Sequence, residues 1–218
     1  MAILSARQGD TVGRDELIEE LELPETTKNS TNALHAHITR LRRWLKTRQA
    51  PADLIETVGS AGYRINLDRG RIDAFRFIRA VDHAVTLAPR TPLVVSTILQ
   101  DSMALWRGEA LRDVVDSPTV HKLSEELSAA RSLAQETLLT AWTDLGSYDR
   151  VIFNGRKFIS ENPLNERLWE TLIDALRKTG RDAEAVASYH RLERILHEEL
   201  GVRPSRRLVQ TLGDSYCA

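Results

Sequence analysis

Residues 31–67 read TNALHAHITRLRRWLKTRQAPADLIETVGSAGYRINL, a pattern that predicts a helix followed by a β-hairpin. The helix carries apolar residues three or four positions apart, which form one narrow stripe: Leu34, Ile38, Leu41 and Leu45. Side-chain oxygens at residues 29–31 can cap its start, and the pattern continues to about Lys46. One side of this helix is therefore expected to face a core.

The opposite side of the predicted helix is cationic. At about 100° per residue this side shows Asn32, Ala36, Thr39, Arg40 and Arg43. His35 and Arg42 flank it. Residues 31–50 carry five Lys or Arg side chains and no Asp or Glu, whereas residues 10–25 carry seven acidic side chains and one Arg. This charge asymmetry indicates a surface that binds a polyanion.

Two short β-rich runs follow the basic helix. Residues 54–58 and 63–67 flank a four-residue loop, Gly59-Ser-Ala-Gly62, which predicts a tight hairpin. Upstream, residues 14–21 predict a short amphipathic helix, and residues 1–7 predict the end of another. Helix, basic helix and hairpin in this order are the plan of a winged helix-turn-helix DNA-binding domain over residues 1–68.

The basic helix has the shape and charge of a DNA-reading helix. The major groove admits one α-helix. Side chains of such a helix reach the base edges, and its cationic side chains bind phosphates. Arg40 and Arg43 are the candidates for guanine or phosphate, and Arg42, Lys46 and Arg48 are the candidates for the phosphate backbone. The alternative is a charged face that only contacts solvent, and the hairpin behind the helix favours DNA.

The loop of the hairpin would act as the wing. Ser60 and Arg64 are its candidates for contact with a neighbouring minor groove or with phosphates. A plain structural hairpin is the alternative, because the loop itself carries no basic residue. Tyr63 is expected to lie in the core.

Residues 72–218 predict an all-α domain, with helices near 73–87, 93–106 and 119–145. Aligning this part with itself gives a period of 34 residues that places Gly146 on Gly180. This is the length of the tetratricopeptide repeat, in which helix pairs stack and share a core. A chance period is the alternative. The expected fold is therefore mainly α, with Trp142 and Trp169 in the core of the second domain.

Length and composition exclude several classes of protein. The chain has 218 residues, of which 28% are charged, and a net charge of −1, so one or two globular domains are expected. No stretch approaches the roughly 20 apolar residues of a membrane helix, and the N-terminus is not expected to act as a signal peptide. The single cysteine, Cys217, excludes a disulfide within the chain. We therefore expect a cytoplasmic protein with no membrane contact.

Motifs of enzymes and metal sites are missing from the sequence. It contains no phosphate-binding loop, no dinucleotide fingerprint, no nucleophile elbow and no His-Glu-x-x-His motif. His35 and His37 point about 200° apart on a helix and cannot share a metal ion. His35 is placed to touch DNA, and His37 is expected to pack beside the apolar stripe. The sequence predicts neither an enzyme nor a cofactor nor a metal site.

Two sets of residues resemble a known family. His37-Ile-Thr-Arg-Leu-Arg-Arg-Trp-Leu45, followed by Gly62-Tyr-Arg, is similar to the recognition helix and wing of OmpR/PhoB-type winged-helix domains. Leu105-Trp-Arg-Gly-Glu-Ala-Leu111 and the runs at 163–169, 180–185 and 199–205 resemble the bacterial transcriptional activation domain. This order of domains is characteristic of the Streptomyces antibiotic regulatory proteins, the AfsR/SARP family.

The resemblance implies a transcriptional activator of a secondary-metabolite (antibiotic) gene cluster. Such proteins bind direct repeats upstream of promoters as two side-by-side copies and recruit RNA polymerase. By matched position, the base-reading candidates are Ala36 and Arg40, with His35 and Thr39 beside them. Arg42 and Arg43 match positions that contact phosphates or bases.

The sequence departs from the family pattern at its N-terminal end. Family members begin with a small β-sheet and a full first helix, whereas Met1 falls near the end of that helix. The sheet and most of the helix are therefore expected to be missing, which would expose Leu34, Ile38 and Leu41. The rival function is a protein-interaction module whose vestigial winged helix does not bind DNA alone.

Overall fold

The fold is described from a computed structural model, which covers residues 1–23, 27–88, 90–112, 114 and 117–213. The chain divides into two compact units. The winged unit consists of residues 1–78 and 105–129, and the helical unit consists of residues 79–104 and 130–218. Residues 105–129, which the sequence pattern groups with the second domain, thus pack with the winged part of the chain.

Among its described residues, the winged unit contains three helices and a small sheet near its start. Its elements are α1 (Ala2–Ala6), β1 (Val12–Gly13), α2 (Arg14–Glu20), α3 (Thr27–Thr47), β2 (Ile55–Val58) and β3 (Gly62–Ile65). A short 3-10 helix at Arg69–Arg71 and the first residues of α4 (Asp73–Leu87) follow. The basic helix α3 ends where Gln49 takes a left-handed φ of +57°, and Pro51 follows two residues later.

The three strands form one antiparallel sheet in the order β1-β3-β2. The predicted hairpin is confirmed, with Ile55 opposite Ile65 and Val58 opposite Gly62. Its loop is one residue shorter than the sequence predicts, because Gly62 belongs to the ladder. β1 adds to the other edge of β3, with Val12 opposite Tyr63, and no sequence pattern predicts a strand of two residues.

The apolar stripe of α3 lies at the centre of the core of the winged unit. The buried members of this core are Ile3, Leu4, Val12, Leu17, Leu34, Ile38, Leu45, Leu54, Ile55, Tyr63, Ile65 and Val120. Burial of a Leu or Ile side chain contributes about 1.5–3 kcal/mol, so the stripe contributes strongly to the folding of this unit. The expected core position of Tyr63 is confirmed.

The predicted exposure of the α3 stripe is wrong for two of its residues. Leu34 is 0% exposed and Ile38 is 6% exposed, and Leu41 packs partly buried against the same core. Leu34 and Ile38 are buried because α1 supplies Ile3 and Leu4 to this core and the start of a helix at Pro118–Asp144 supplies Val120.

The helical unit is built of α-helices. Beyond α4 they are α5 (Pro92–Met103), α6 (Pro118–Asp144), α7 (Tyr148–Glu161), α8 (Glu166–Lys178), α9 (Asp182–Leu200) and α10 (Arg206–Leu212). α8 packs against α7 and α9, and α10 packs on α8. Gly146 and Gly180 follow α6 and α8 with φ of +67° and +74°, a left-handed backbone that favours glycine. The repeated helix-turn-helix plan is thereby confirmed.

The tryptophans of the repeats lie in the core of the helical unit, as predicted. Trp142 and Trp169 are 3% and 2% exposed. The indole Nε1 of Trp169 donates a hydrogen bond to the carbonyl oxygen of Pro163 at 2.8 Å, which satisfies its polar atom. Among the residues that the structure describes, no helix is both long enough and apolar enough to cross a membrane.

Candidate nucleic-acid interface

The outward face of α3 presents the residues that the sequence predicts for DNA contact. Seven of the eight candidates on this helix are exposed: Asn32, His35, Ala36, Thr39, Arg40, Arg43 and Lys46. They are exposed because the apolar stripe occupies the other side of the helix. The core therefore fixes which way the cationic face points.

Arg40 and Arg43 extend from this face into solvent. One guanidinium nitrogen of Arg40 lies 3.4 Å from Nδ1 of His37. Within the described part of the chain, no carboxylate lies within ion-pair distance of either arginine.

His37 does not pack as the sequence predicts. It is exposed, and its ring contacts Arg40 rather than the core. The prediction is wrong because the stripe is narrow and His37 lies beyond its edge.

Arg42, the eighth candidate, is half-buried and binds the hairpin of its own chain. Its Nε and Nη2 donate hydrogen bonds to the carbonyl oxygen of Ile55 at 3.2 and 2.7 Å, and Nη2 also donates to Oγ1 of Thr57 at 2.8 Å. Its guanidinium lies 6.0 Å from the centre of the Tyr63 ring. The sequence predicts a phosphate contact for Arg42, and in the structure its guanidinium joins α3 to β2 through these hydrogen bonds.

We expect the Arg42→Ala variant to be less stable than the wild type by about 1–3 kcal/mol, because it leaves a half-buried carbonyl without its donor. Urea denaturation followed by circular dichroism measures this difference. The matched control is Arg43→Ala, which removes the same charge from an exposed position and should change stability by less than about 0.5 kcal/mol. Equal stabilities of the two variants would contradict the positioning role of Arg42.

The two predicted contact residues of the wing lie in different surroundings. Ser60 is exposed at the tip of the loop. Arg64 lies on β3 and forms an ion pair with Glu56 on β2 at 2.7 Å, so its charge is largely balanced within the hairpin. A cation that sequence reasoning missed lies beside the loop instead, because Nη2 of Arg14 donates to the carbonyl oxygen of Gly59 at 3.0 Å. Arg14 and Gly59 are 45 positions apart in the chain, so the sequence carries no local signal of this contact.

Trp44 is a second residue that sequence reasoning missed. Its side chain is 48% exposed, and the guanidinium of Arg48 lies 4.5 Å from the centre of its ring. A Trp next to the apolar stripe is expected in the core, and only the structure shows it on the surface.

Metal ligands are not grouped in the described part of the chain. No group of three or more His, Cys, Asp or Glu among the described residues is placed to hold an ion.

Comparison with known proteins matches both parts of the chain. Residues 72–212 match the bacterial transcriptional activator domain. Residues 1–65 match the family described as transcriptional regulatory protein, C terminal. The two matches follow each other in the order that the sequence predicts.

Individual relatives match along nearly the whole chain. The transcriptional regulator RedD of Streptomyces coelicolor is 30% identical over 95% of this chain and 60% of RedD. The regulatory protein DnrI of Streptomyces peucetius is 25% identical over 95% of this chain and 78% of DnrI. The solved structure of Mycobacterium tuberculosis EmbR in complex with a low-affinity phosphopeptide is similar with a TM-score of 0.84 and 26% identity. This match covers 97% of the chain and 56% of EmbR. The chain therefore spans less than two thirds of the length of both RedD and EmbR.

Proposed function

The chain belongs to the Streptomyces antibiotic regulatory protein (SARP) family of transcriptional regulators, and on that premise we propose that it is a sequence-specific, DNA-binding transcriptional activator that acts in the cytoplasm. The observation that carries this proposal is the outward face of α3. It is cationic, free of acidic residues in sequence, and opposite a buried apolar stripe. A helix of this kind fits the major groove of duplex DNA.

α3 acts as the reading helix in this proposal. Ala36 and Thr39 are small and exposed, so they allow the helix backbone to approach the base edges. Arg40 and Arg43 stand beside them and donate hydrogen bonds to guanine O6 and N7 or to phosphate oxygens. Asn32, His35 and Lys46 extend the contact along the same face.

The hairpin acts as the wing in the same proposal. Arg42 holds β2 against α3, so the hairpin and the reading helix move as one body. The loop presents Ser60, and Arg14 supplies a cation beside it. These groups meet a phosphate or the neighbouring minor groove, while the Glu56 partner of Arg64 reduces the contribution of that arginine.

The helical unit makes protein contacts in the proposed mechanism. Stacked helix pairs bury a shared core and leave long surfaces for partners. On a promoter with direct repeats, two copies of the chain bind side by side, and the complex recruits RNA polymerase. The genes controlled are those of a secondary-metabolite pathway, as the SARP family implies.

The experiment that tests the function is selection of binding sites from a random duplex library by the full chain, followed by fluorescence anisotropy. We expect a directly repeated sequence to be enriched and to bind at least about a thousandfold more tightly than shuffled DNA at the same salt concentration. Enrichment of no sequence, together with equal binding to shuffled DNA, would contradict the proposal. It would favour the protein-interaction module.

A further inference from the structure

A strip of side chains runs along α3 on the flank away from the hairpin. The strip consists of His37, Arg40, Trp44 and Arg48, and we call it the Trp44 strip. Three of its residues lie on α3 itself, and Arg48 directly follows the helix. At about 100° per residue the four positions span about 80° around the helix axis. All four are exposed.

Arg42 shows which flank the Trp44 strip occupies. This arginine binds β2 through Ile55 and Thr57, so its flank of α3 faces the wing. Arg42 lies about 160° around the helix from the middle of the strip. The strip and the wing therefore lie on opposite sides of the outward face of α3.

Trp44 and Arg48 form a patch that combines a flat apolar ring with a cation. The ring is 48% exposed, and the guanidinium of Arg48 lies 4.5 Å from its centre. This stacking orients the arginine without neutralising it. His37 and Arg40 extend the patch, and residues 31–50 carry no Asp or Glu. A large apolar side chain among cations, in a segment without acidic residues, suits a partner that is itself anionic and has apolar surface.

The width of the major groove brings this patch next to the DNA backbone. An α-helix with its side chains is about 10–12 Å across, and the major groove is about 12 Å wide. A helix whose outermost residues meet base edges therefore has both flanks beside sugar-phosphate walls. The wing accompanies one flank of α3, and the Trp44 strip forms the other.

We propose that Trp44 packs on a deoxyribose of the backbone wall opposite the wing, and that Arg48 binds the adjacent phosphate. This inference rests on the proposed function of α3 as the reading helix. The sugar supplies apolar surface for the indole. The phosphate supplies an anionic partner for Arg48, which has no ion-pair partner among the described residues. With the wing on one wall and Trp44 on the other, both backbones fix the register in which Arg40 and Arg43 meet the bases.

DNA is favoured over a protein partner for this patch. A protein surface that covered it would have to supply carboxylates for two arginines, because a buried charge without a partner is costly. The DNA backbone supplies a negative charge at every phosphate. Arg40 also belongs to the reading face, so the patch is continuous with the surface already assigned to DNA.

The test compares Trp44→Ala, Trp44→Phe and Arg48→Ala with the wild-type chain on the selected duplex. We expect Trp44→Ala to bind about tenfold more weakly, whereas Trp44→Phe keeps a ring on the sugar and retains most of the affinity. Arg48→Ala should lower the slope of log affinity against log salt by about 1. The matched control is Phe153→Ala, an aromatic that is 76% exposed in the helical unit, and its affinity should equal that of the wild type.

A spectroscopic readout separates contact from a structural effect. The chain has four tryptophans, of which Trp142 and Trp169 are buried and Trp106 is half-buried, so Trp44 dominates quenching of emission by acrylamide. We expect saturating duplex to reduce this quenching in the wild type and to leave it unchanged in Trp44→Phe. Thermal unfolding of each variant checks that it is folded.

Three outcomes would overturn the inference. If the duplex binds but Trp44→Ala keeps full affinity and acrylamide quenching is unchanged, Trp44 does not contact DNA, and the proposed function stands. If Trp44→Ala loses only the pairing of two copies on the direct repeat and binds a single half-site normally, the strip contacts protein. If the wild type binds no duplex, the proposed function and the inference fail together.

Discussion

Replacing Arg40 and Arg43 together by Ala should lower the affinity of the chain for its selected duplex by about a hundredfold. Each well-placed arginine contact to a base is worth about 1–3 kcal/mol, and every 1.4 kcal/mol changes affinity tenfold. Both side chains are exposed on α3, and neither has a carboxylate partner among the described residues, so their removal leaves the core untouched. Fluorescence anisotropy at several salt concentrations measures the affinity and its salt dependence.

The matched control for this double variant is the Arg76→Ala, Arg79→Ala pair. These two arginines are exposed on α4, so the control removes the same charge from a surface that the proposal does not place on DNA. We expect the control to bind within about threefold of the wild type, because distant surface charges act only through screened long-range attraction. Equal losses in the two double variants would mean that overall charge, and not the face of α3, determines binding.

Replacing Gly62 by Ala should destabilise the winged unit by about 3 kcal/mol and also weaken DNA binding. A Cβ atom at this position would lie 1.9 Å from the carbonyl oxygen of Val12, and that oxygen belongs to the backbone of β1. β1 must therefore move away from β3. Overpacking of this kind costs about 1–3 kcal/mol or more in stability. The melting temperature should fall by roughly 6–12 °C, which differential scanning calorimetry measures.

Gly59→Asn is the control for the glycine prediction. Gly59 lies at the turn of the same hairpin with φ of +50°, and a Cβ there meets no atom within 4 Å. Because Asn tolerates left-handed backbone, this variant should lose less than about 1 kcal/mol. A Gly62→Ala variant as stable as Gly59→Asn would contradict the close approach of β1 to β3.

Features that depend on local spacing could be predicted from the sequence. The stripe of α3 has the helical period, so which side of the helix faces the core and which side is cationic follow from the positions of Leu34, Ile38 and Leu45. The hairpin was predictable because two β-rich runs flank a glycine-containing loop. The turns at Gly146 and Gly180 follow from the 34-residue period in the same way.

Features that depend on contacts between distant segments could not be predicted. β1 has two residues and shows no alternation, yet it completes the sheet. Leu34 is buried with Ile3 and Val120, which are 117 residues apart in the chain, so its burial required the tertiary structure. The role of Arg42 depends on where β2 lies, since an arginine that faces a hairpin and one that faces a phosphate look alike in a sequence.

Methylation of the selected duplex by dimethyl sulfate shows whether α3 lies in the major groove. The reagent methylates guanine N7 in the major groove and adenine N3 in the minor groove, so it reports which groove the protein covers. We expect the wild-type chain to protect guanine N7 within each repeat, and Arg40→Ala, at concentrations that saturate the duplex, to restore reactivity at one of these guanines. Full occupancy of the duplex with every guanine N7 still reactive would contradict it, because α3 could not then lie in the major groove.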